Sequence, residues 1–157
     1  MLDSRLSWLS GPGNAEVLRQ GLRGLEKENL RVNRKGHLSG WPHPARFGAA
    51  LTHPYLTTDY SEAMLEFVTP PCPTNGETVQ FLRDLHIFVM KNMEQELLWA
   101  QSMPCVMSSE SEIPVADYGK SNQGVMKTVY RNGLGYRYGR KMQAISGIHF
   151  NYSLPVE

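Results

Sequence analysis

The stretch Leu25-Glu26-Lys27-Glu28-Asn29-Leu30-Arg31-Val32 decides how the chain is read. Its apolar residues do not keep the three- and four-residue spacing of a helix, and they fit a strand. The turn Asn33-Arg34-Lys35-Gly36 ends it. Residues two apart in a strand lie on one face, so Glu26 and Glu28 share a face with backbones roughly 7 Å apart. Flexible carboxylates at that separation can converge on one small cation region.

Before this strand, residues 14–23 read as a short helix, with Asn14 as N-cap and Glu16 at the positive end of the helix dipole. After it, residues 37–54 carry scattered Pro, Gly and His and read as a loop. Residues 55–69 have a β-type composition (Thr57, Thr58, Tyr60, Phe67, Val68, Thr69). In that second strand Glu62 and Glu66 are expected to share a face, with Asp59 just before it. Thr69-Pro70-Pro71-Cys72-Pro73 stops any regular element. The spacing of Val79, Leu82, Leu85, Val89, Met93 and Leu97 predicts a helix over 75–99. Its methionines fill gaps in the core, and His86 on it has no ligand-spaced partner.

Residues 101–120 form a polar loop, and 121–142 a helix capped by Ser121 or Asn122 and weakened by Gly133 and Gly135. Over 145–154 the chain alternates. Ile148, Phe150, Tyr152 and Leu154 fall on one side, and His149, Asn151 and Ser153 on the other. That predicts an antiparallel-type strand with one buried and one polar face. The fold class is α+β.

Composition narrows the function. With 157 residues, 41% of them hydrophobic and 20% charged, the chain supports a real core or forms a piece of something larger. No apolar run approaches the roughly 20 residues that span a bilayer, and no secretory signal is expected at the N-terminus. Cys72 and Cys105 lack metal-type spacing, which suggests a reducing cytosol. The net charge of +1 argues against nucleic-acid or membrane binding. Its distribution is uneven: residues 1–117 hold 10 Lys/Arg against 14 Asp/Glu, and residues 118–157 hold 6 against 1. The first part suits cations, the second anions such as phosphate.

Clustered carboxylates repel, and burial disfavours their ionisation. A divalent cation removes that conflict, and an oxygen-rich set with one imidazole and no thiolate favours Mg²⁺ or Mn²⁺ over zinc. Lys127, Arg131 and Arg137 are then available for phosphate oxygens. Each group also has a plainer reading. A Glu-x-Glu on a strand is a solvated face, a lone His an ordinary hydrogen-bonded residue, and the basic residues of 127–141 a solvated helix surface.

Beyond these patterns, Gly24-Leu25-Glu26-Lys27-Glu28-Asn29-Leu30-Arg31-Val32 closely resembles a strand of the proteobacterial glutamate–cysteine ligases. So do Leu51-Thr52-His53, the run from Thr57 to Pro70, Arg83-Asp84-Leu85-His86, Ser102-Met103-Pro104-Cys105 and Tyr118-Gly119-Lys120-Ser121-Asn122. The blocks Lys127 to Leu134, Arg137-Tyr138-Gly139, Met142-Gln143, Ile145 to His149 and Asn151 to Pro155 follow in family order. The resemblance implies a curved antiparallel sheet with outer helices, similar to glutamine synthetase. It places Glu26, Glu28, Asp59, Glu66 and His149 at magnesium-ligand positions, and leaves Glu62 outside that set. It places Tyr130, Leu134 and Gln143 at the cysteine subsite, with Arg131 and Asn151 as weaker matches for glutamate or phosphate contact.

The implied reaction joins the L-glutamate γ-carboxylate to the L-cysteine amine at the expense of ATP, through γ-glutamyl phosphate, as the first step of glutathione biosynthesis. It occurs in the cytoplasm and needs no side-chain nucleophile. Family members are several times as long as this chain, so residues 1–157 are expected to be the N-terminal part of the catalytic domain. A sheet cut here leaves an open edge and an uncovered apolar face. The alternative is a non-catalytic fragment or subunit that works only by binding a complementary C-terminal polypeptide.

Overall fold

Period-two side-chain alternation and cross-strand register together decide what each sheet face carries. The computed structural model describes residues 2–155. Its central strand, β1 (Leu22–Asn33), is longer than expected and uses both edges. One edge pairs antiparallel with β3 (Met64–Val68), which in turn pairs with β2 (Leu56–Thr58). The other edge pairs first with β5 (Ile148–Ser153), along Leu22–Lys27, and then with β4 (Glu96–Leu98), along Arg31–Asn33. The predicted α+β class holds, with an antiparallel sheet.

The face opposite the carboxylates is covered by α3 (Asn75–Asn92). The Thr74 hydroxyl caps this helix by accepting from the Glu77 backbone N–H at 3.2 Å. Val89 of this helix is buried together with Phe47, Leu56, Leu65 and Phe67, and Leu82, Leu85 and Met93 pack against them. His86 stacks on Phe67 with ring centres 4.1 Å apart, which agrees with a structural role. On the carboxylate side of β1, the same alternation turns apolar further along. Leu30, Val32, Met64 and Cys105 form a second buried cluster.

Four expectations need correction. The helix predicted over 75–99 ends at Asn92, and Glu96–Leu98 is a strand. Leu97 falls on helical spacing, but the backbone of Arg31–Asn33 needs a hydrogen-bonding partner, and an extended 96–98 supplies it. The Arg31 guanidinium enforces the same outcome. It is fully buried, donates from Nη1 to both Glu96 oxygens at 2.8 and 2.7 Å, and from Nη2 to the carbonyls of Trp41 and Glu62 at 2.8 and 2.9 Å.

Glu62 does not share a strand face with Glu66. It lies in the turn between β2 and β3, where its carboxylate accepts from the backbone N–H groups of His43 and Asp117. The helix expected over 14–23 closes after Arg19, as α2 (Asn14–Arg19), because β1 already begins at Leu22. An unpredicted helix, α1 (Leu2–Leu9), precedes it.

The last correction concerns β5. Its apolar side is not buried: Ile148 and Phe150 are each 62% exposed. The alternation is real, but α3 lies over β1 and β3 and leaves β5 uncovered. Among the described residues no strand pairs with the second edge of β5. No helix among them is long and apolar enough to cross a membrane.

Arg31 generates a stability prediction. Removing one member of a buried ion pair strands the other, at a cost of about 3–5 kcal/mol. Glu96→Ala is expected to lose that much in urea denaturation. Pairing Arg31→Met with Glu96→Leu should recover most of it, because no buried charge then remains.

Candidate functional site

The register places four of the five expected metal-ligand residues on one sheet face. Glu28 lies directly opposite Glu66, and Glu26 directly opposite His149. Asp59 follows β2, and its backbone N–H closes the turn onto the Met64 carbonyl at 3.2 Å. Asn151 sits on the same face, opposite Gly24.

Hydrogen bonds orient these groups. The His149 Nδ1 lies 3.1 Å from Glu26 Oε2, and Asn151 Nδ2 donates to Glu26 Oε1 at 2.9 Å. The Gly147 N–H donates to Glu28 Oε2 at 2.6 Å, while the Glu28 N–H donates to the Gly147 carbonyl at 3.0 Å. A side chain at position 147 would press on the His149 ring, since a Cβ there lies 3.1 Å from Nε2. Gly147 therefore fits the chain between two site residues. Sequence reasoning missed it, and the only signal was a glycine directly before an alternating strand.

Electrostatics mark the face as a place where negative charge is held without full compensation. Burial, reinforced by Asp59, Glu28 and Glu26, pushes the Glu66 carboxyl up to about 7, with Arg131 acting in the opposite direction. Burial also raises Glu28, against the lowering effect of the Gly147 N–H. The hydrogen bond to Glu26 raises His149. Among the described residues no three His, Cys, Asp or Glu side chains converge tightly enough to cage an ion. Glu26 is turned to His149 and Asn151, and Glu28 to Gly147. The donor set itself (hard carboxylate oxygens plus one imidazole) suits Mg²⁺ or Mn²⁺.

The basic helix α4 (Asn122–Tyr138) borders this face. Ser121 caps it, accepting from the Gly124 N–H at 3.1 Å, and it runs unbroken through Gly133 and Gly135. It breaks at Gly139, where φ is +80°, before the short α5 (Arg140–Gln143). Arg131 reaches the acidic face: its Nε donates to the Asp59 carbonyl at 2.6 Å, and Nη2 stands 3.7 Å from Asp59 Oδ1. Tyr130 is exposed beside it. Leu134 packs against the cluster of Tyr60, Ile113 and Ala144. Gln143 is half-buried at the end of α5. Arg131 and Asn151 are thus tied to the carboxylate face by hydrogen bonds, while Leu134 also has a place in the core.

An α+β protein with an acid-lined sheet face beside a basic helix is the class these observations define. The family model for glutamate-cysteine ligase matches residues 6–157, and the chain belongs to that family. The glutamate–cysteine ligase of Alcanivorax borkumensis is 53% identical over 154 residues, which are 98% of this chain and 29% of that protein. The chain therefore spans less than a third of the length of the curated relatives it matches. The crystal structure of the Francisella tularensis glutamate–cysteine ligase, solved in complex with AMP, superposes with a TM-score of 0.82 at 43% identity. It covers 85% of this chain and 27% of that one. A bifunctional glutathione synthetase from Pasteurella multocida superposes at 0.77 with 36% identity, over 89% and 18% of the two chains.

The raised Glu66 carboxyl sets the sign of a pH effect. Its protonated form favours the fold, so its contribution is fully present below about 4.5 and is lost as pH rises through 7. Glu66→Gln is expected to remove that loss. It should raise stability at pH 8 by on the order of 1 kcal/mol, allowing for solvent screening, and leave it unchanged at pH 4. Urea midpoints at the two pH values check this.

Proposed function

We propose that this chain is the N-terminal part of the catalytic domain of a glutamate–cysteine ligase. The reaction is ATP-dependent amide formation between the γ-carboxylate of L-glutamate and the amine of L-cysteine. The observation that carries the reading is the pairing of Glu28 with Glu66 and of Glu26 with His149 on one face, in a chain that belongs to this family.

A carboxylate is a poor acceptor for an amine, because oxide would have to leave. Transfer of the ATP γ-phosphoryl group to the glutamate γ-carboxylate makes a mixed anhydride and releases ADP. The cysteine amine then attacks the acyl carbon, and phosphate leaves with the bonding electrons. Glu26, Glu28, Asp59, Glu66 and His149 are the residues that would hold Mg²⁺ or Mn²⁺. When bound, such ions neutralise the triphosphate charge and orient the transferred group.

The chain's own residues supply position and field. Cross-strand register fixes the Glu28 and Glu66 backbones opposite each other, and the Glu28 carboxylate need only exchange its bond from the Gly147 N–H for an ion. Arg131 brings a positive charge to the edge of that face, for a phosphate or carboxylate oxygen. Asn151 holds Glu26 in place, and Tyr130, Leu134 and Gln143 line the approach of the cysteine. No side chain acts as a nucleophile, and Cys72 and Cys105 are both buried.

A second reading has its own observation. The uncovered apolar side and free edge of β5 match what a complementary C-terminal polypeptide would cover. On this reading the chain acts only when paired.

Two measurements test the proposal. Calorimetric titration with Mn²⁺ should give binding by the pure chain, and Glu28→Gln should weaken it roughly tenfold with little change in fold. Equal affinity for the variant would remove Glu28 from the ligand set. Supplied with ATP, glutamate, cysteine and Mg²⁺, the chain alone is expected to form little γ-glutamylcysteine. Robust product would overturn its incompleteness.

A further inference from the structure

Arg131 stands beside a carboxylate without closing on it. Its Nε bonds the Asp59 backbone carbonyl, while the nearest approach to the Asp59 carboxylate is 3.7 Å, beyond a good hydrogen bond. In a half-buried setting a guanidinium and a carboxylate so close normally pair through two short bonds. Something holds them apart, and Tyr118 is placed to do it.

Tyr118 is only 6% exposed and packs with Ala50 and Ala116. Its hydroxyl reaches the carbonyls of Thr58 and Asp59, the latter at 3.0 Å. The Arg131 guanidinium carbon stands 4.7 Å from the centre of its ring, and the Lys127 ammonium 4.8 Å from it. Cations over an aromatic face are attracted to it, and the more so when partly desolvated. The backbone of Tyr118 also seats the first turn of α4. A Cβ at Gly124 would fall 2.4 Å from the Tyr118 carbonyl oxygen, so only glycine allows the helix this close. One residue thus grips the end of β2 through its hydroxyl and two cations of α4 through its ring.

We propose that Tyr118 is a positioning residue: its hydroxyl anchors the Asp59 turn while its ring holds Lys127 and Arg131, keeping the Asp59 carboxylate free for a cation and Arg131 free for an anion. This rests on the reading of the carboxylate face as a cation site. Without the ring, Arg131 closes on Asp59 and competes with the ion. Without the hydroxyl, the Asp59 turn loosens while the cations stay in place.

The test titrates the full 157-residue chain with Mn²⁺ alone, by calorimetry, and follows the Arg131 side-chain Nε–H signal by NMR. Tyr118→Leu is expected to weaken Mn²⁺ binding roughly tenfold and to move the Arg131 signal as the ring shielding is lost. Tyr118→Phe should weaken binding by only about threefold and leave that signal close to its original place. The decisive arm is rescue. Adding Arg131→Gln to Tyr118→Leu removes the competing charge and should restore affinity to within about twofold of Arg131→Gln alone. A merely structural role for Tyr118 predicts no rescue, and its absence would overturn the proposal, as would wild-type affinity in Tyr118→Leu. Should Tyr118→Leu not fold, Tyr118→Phe decides: affinity equal to wild type, with the Asp59 carbonyl resonance unmoved, overturns it. Should the unaltered chain take up no Mn²⁺, the reading of the face fails, and the role of Tyr118 is decided by the Arg131 signal in Tyr118→Leu, where an unmoved signal refutes it.

Discussion

The alternation of side chains along β1 is the constraint on which everything else depends. One face of this strand runs Gly24, Glu26, Glu28 and then Leu30, Val32. Its first half therefore points charge, and its second half hydrocarbon, to the same side. Antiparallel pairing copies the division to the neighbours: Glu66 meets Glu28, His149 meets Glu26, and Met64 meets Leu30. A slip of β1 by one residue would turn Glu26 and Glu28 onto the face that α3 covers, away from Glu66 and His149. The apolar contacts of α3 and the polar face thus enforce each other's register.

Holding several carboxylates on one face works against the fold, and the compensation lies elsewhere. Burial of Phe47, Leu56, Leu65 and Phe67 against Val89 of α3 contributes the main apolar gain. Arg31 ties β1, β4, the 39–43 loop and the Glu62 turn into one hydrogen-bonded unit. Glu62, an acid of the same strand parity as Glu66, has a wholly structural use. Its carboxylate satisfies two backbone N–H groups. The difference between the two acids lies in what surrounds them and not in their type.

Much of this was legible in the residues because it rests on a local period. The shared face of Glu26 and Glu28, the polar side of β5 and the cap at Ser121 all follow from spacing or from a single side-chain bond. What failed depended on distant partners. Leu97 keeps helical spacing, and only the free edge of β1 decides that it is extended. Glu62 and Glu66 match in parity, but a turn separates them and parity does not survive a turn. Burial of Ile148 and Phe150 depends on what lies above them, which no alternation within the strand can state. Tyr118 lay in a stretch read as polar loop, and its contacts come from the end of β2 and from the first three turns of α4.

The pairing of Glu26 with His149 joins residues 123 positions apart in the chain. Closing so long a loop is slow, because its entropy cost comes before the contacts that offset it. The β1–β3 pairing, by contrast, closes over about 40 residues. Biosynthesis thus imposes an order: a nascent chain can pair the acids of β1 and β3 early, but the imidazole leaves the ribosome only 123 residues after Glu26.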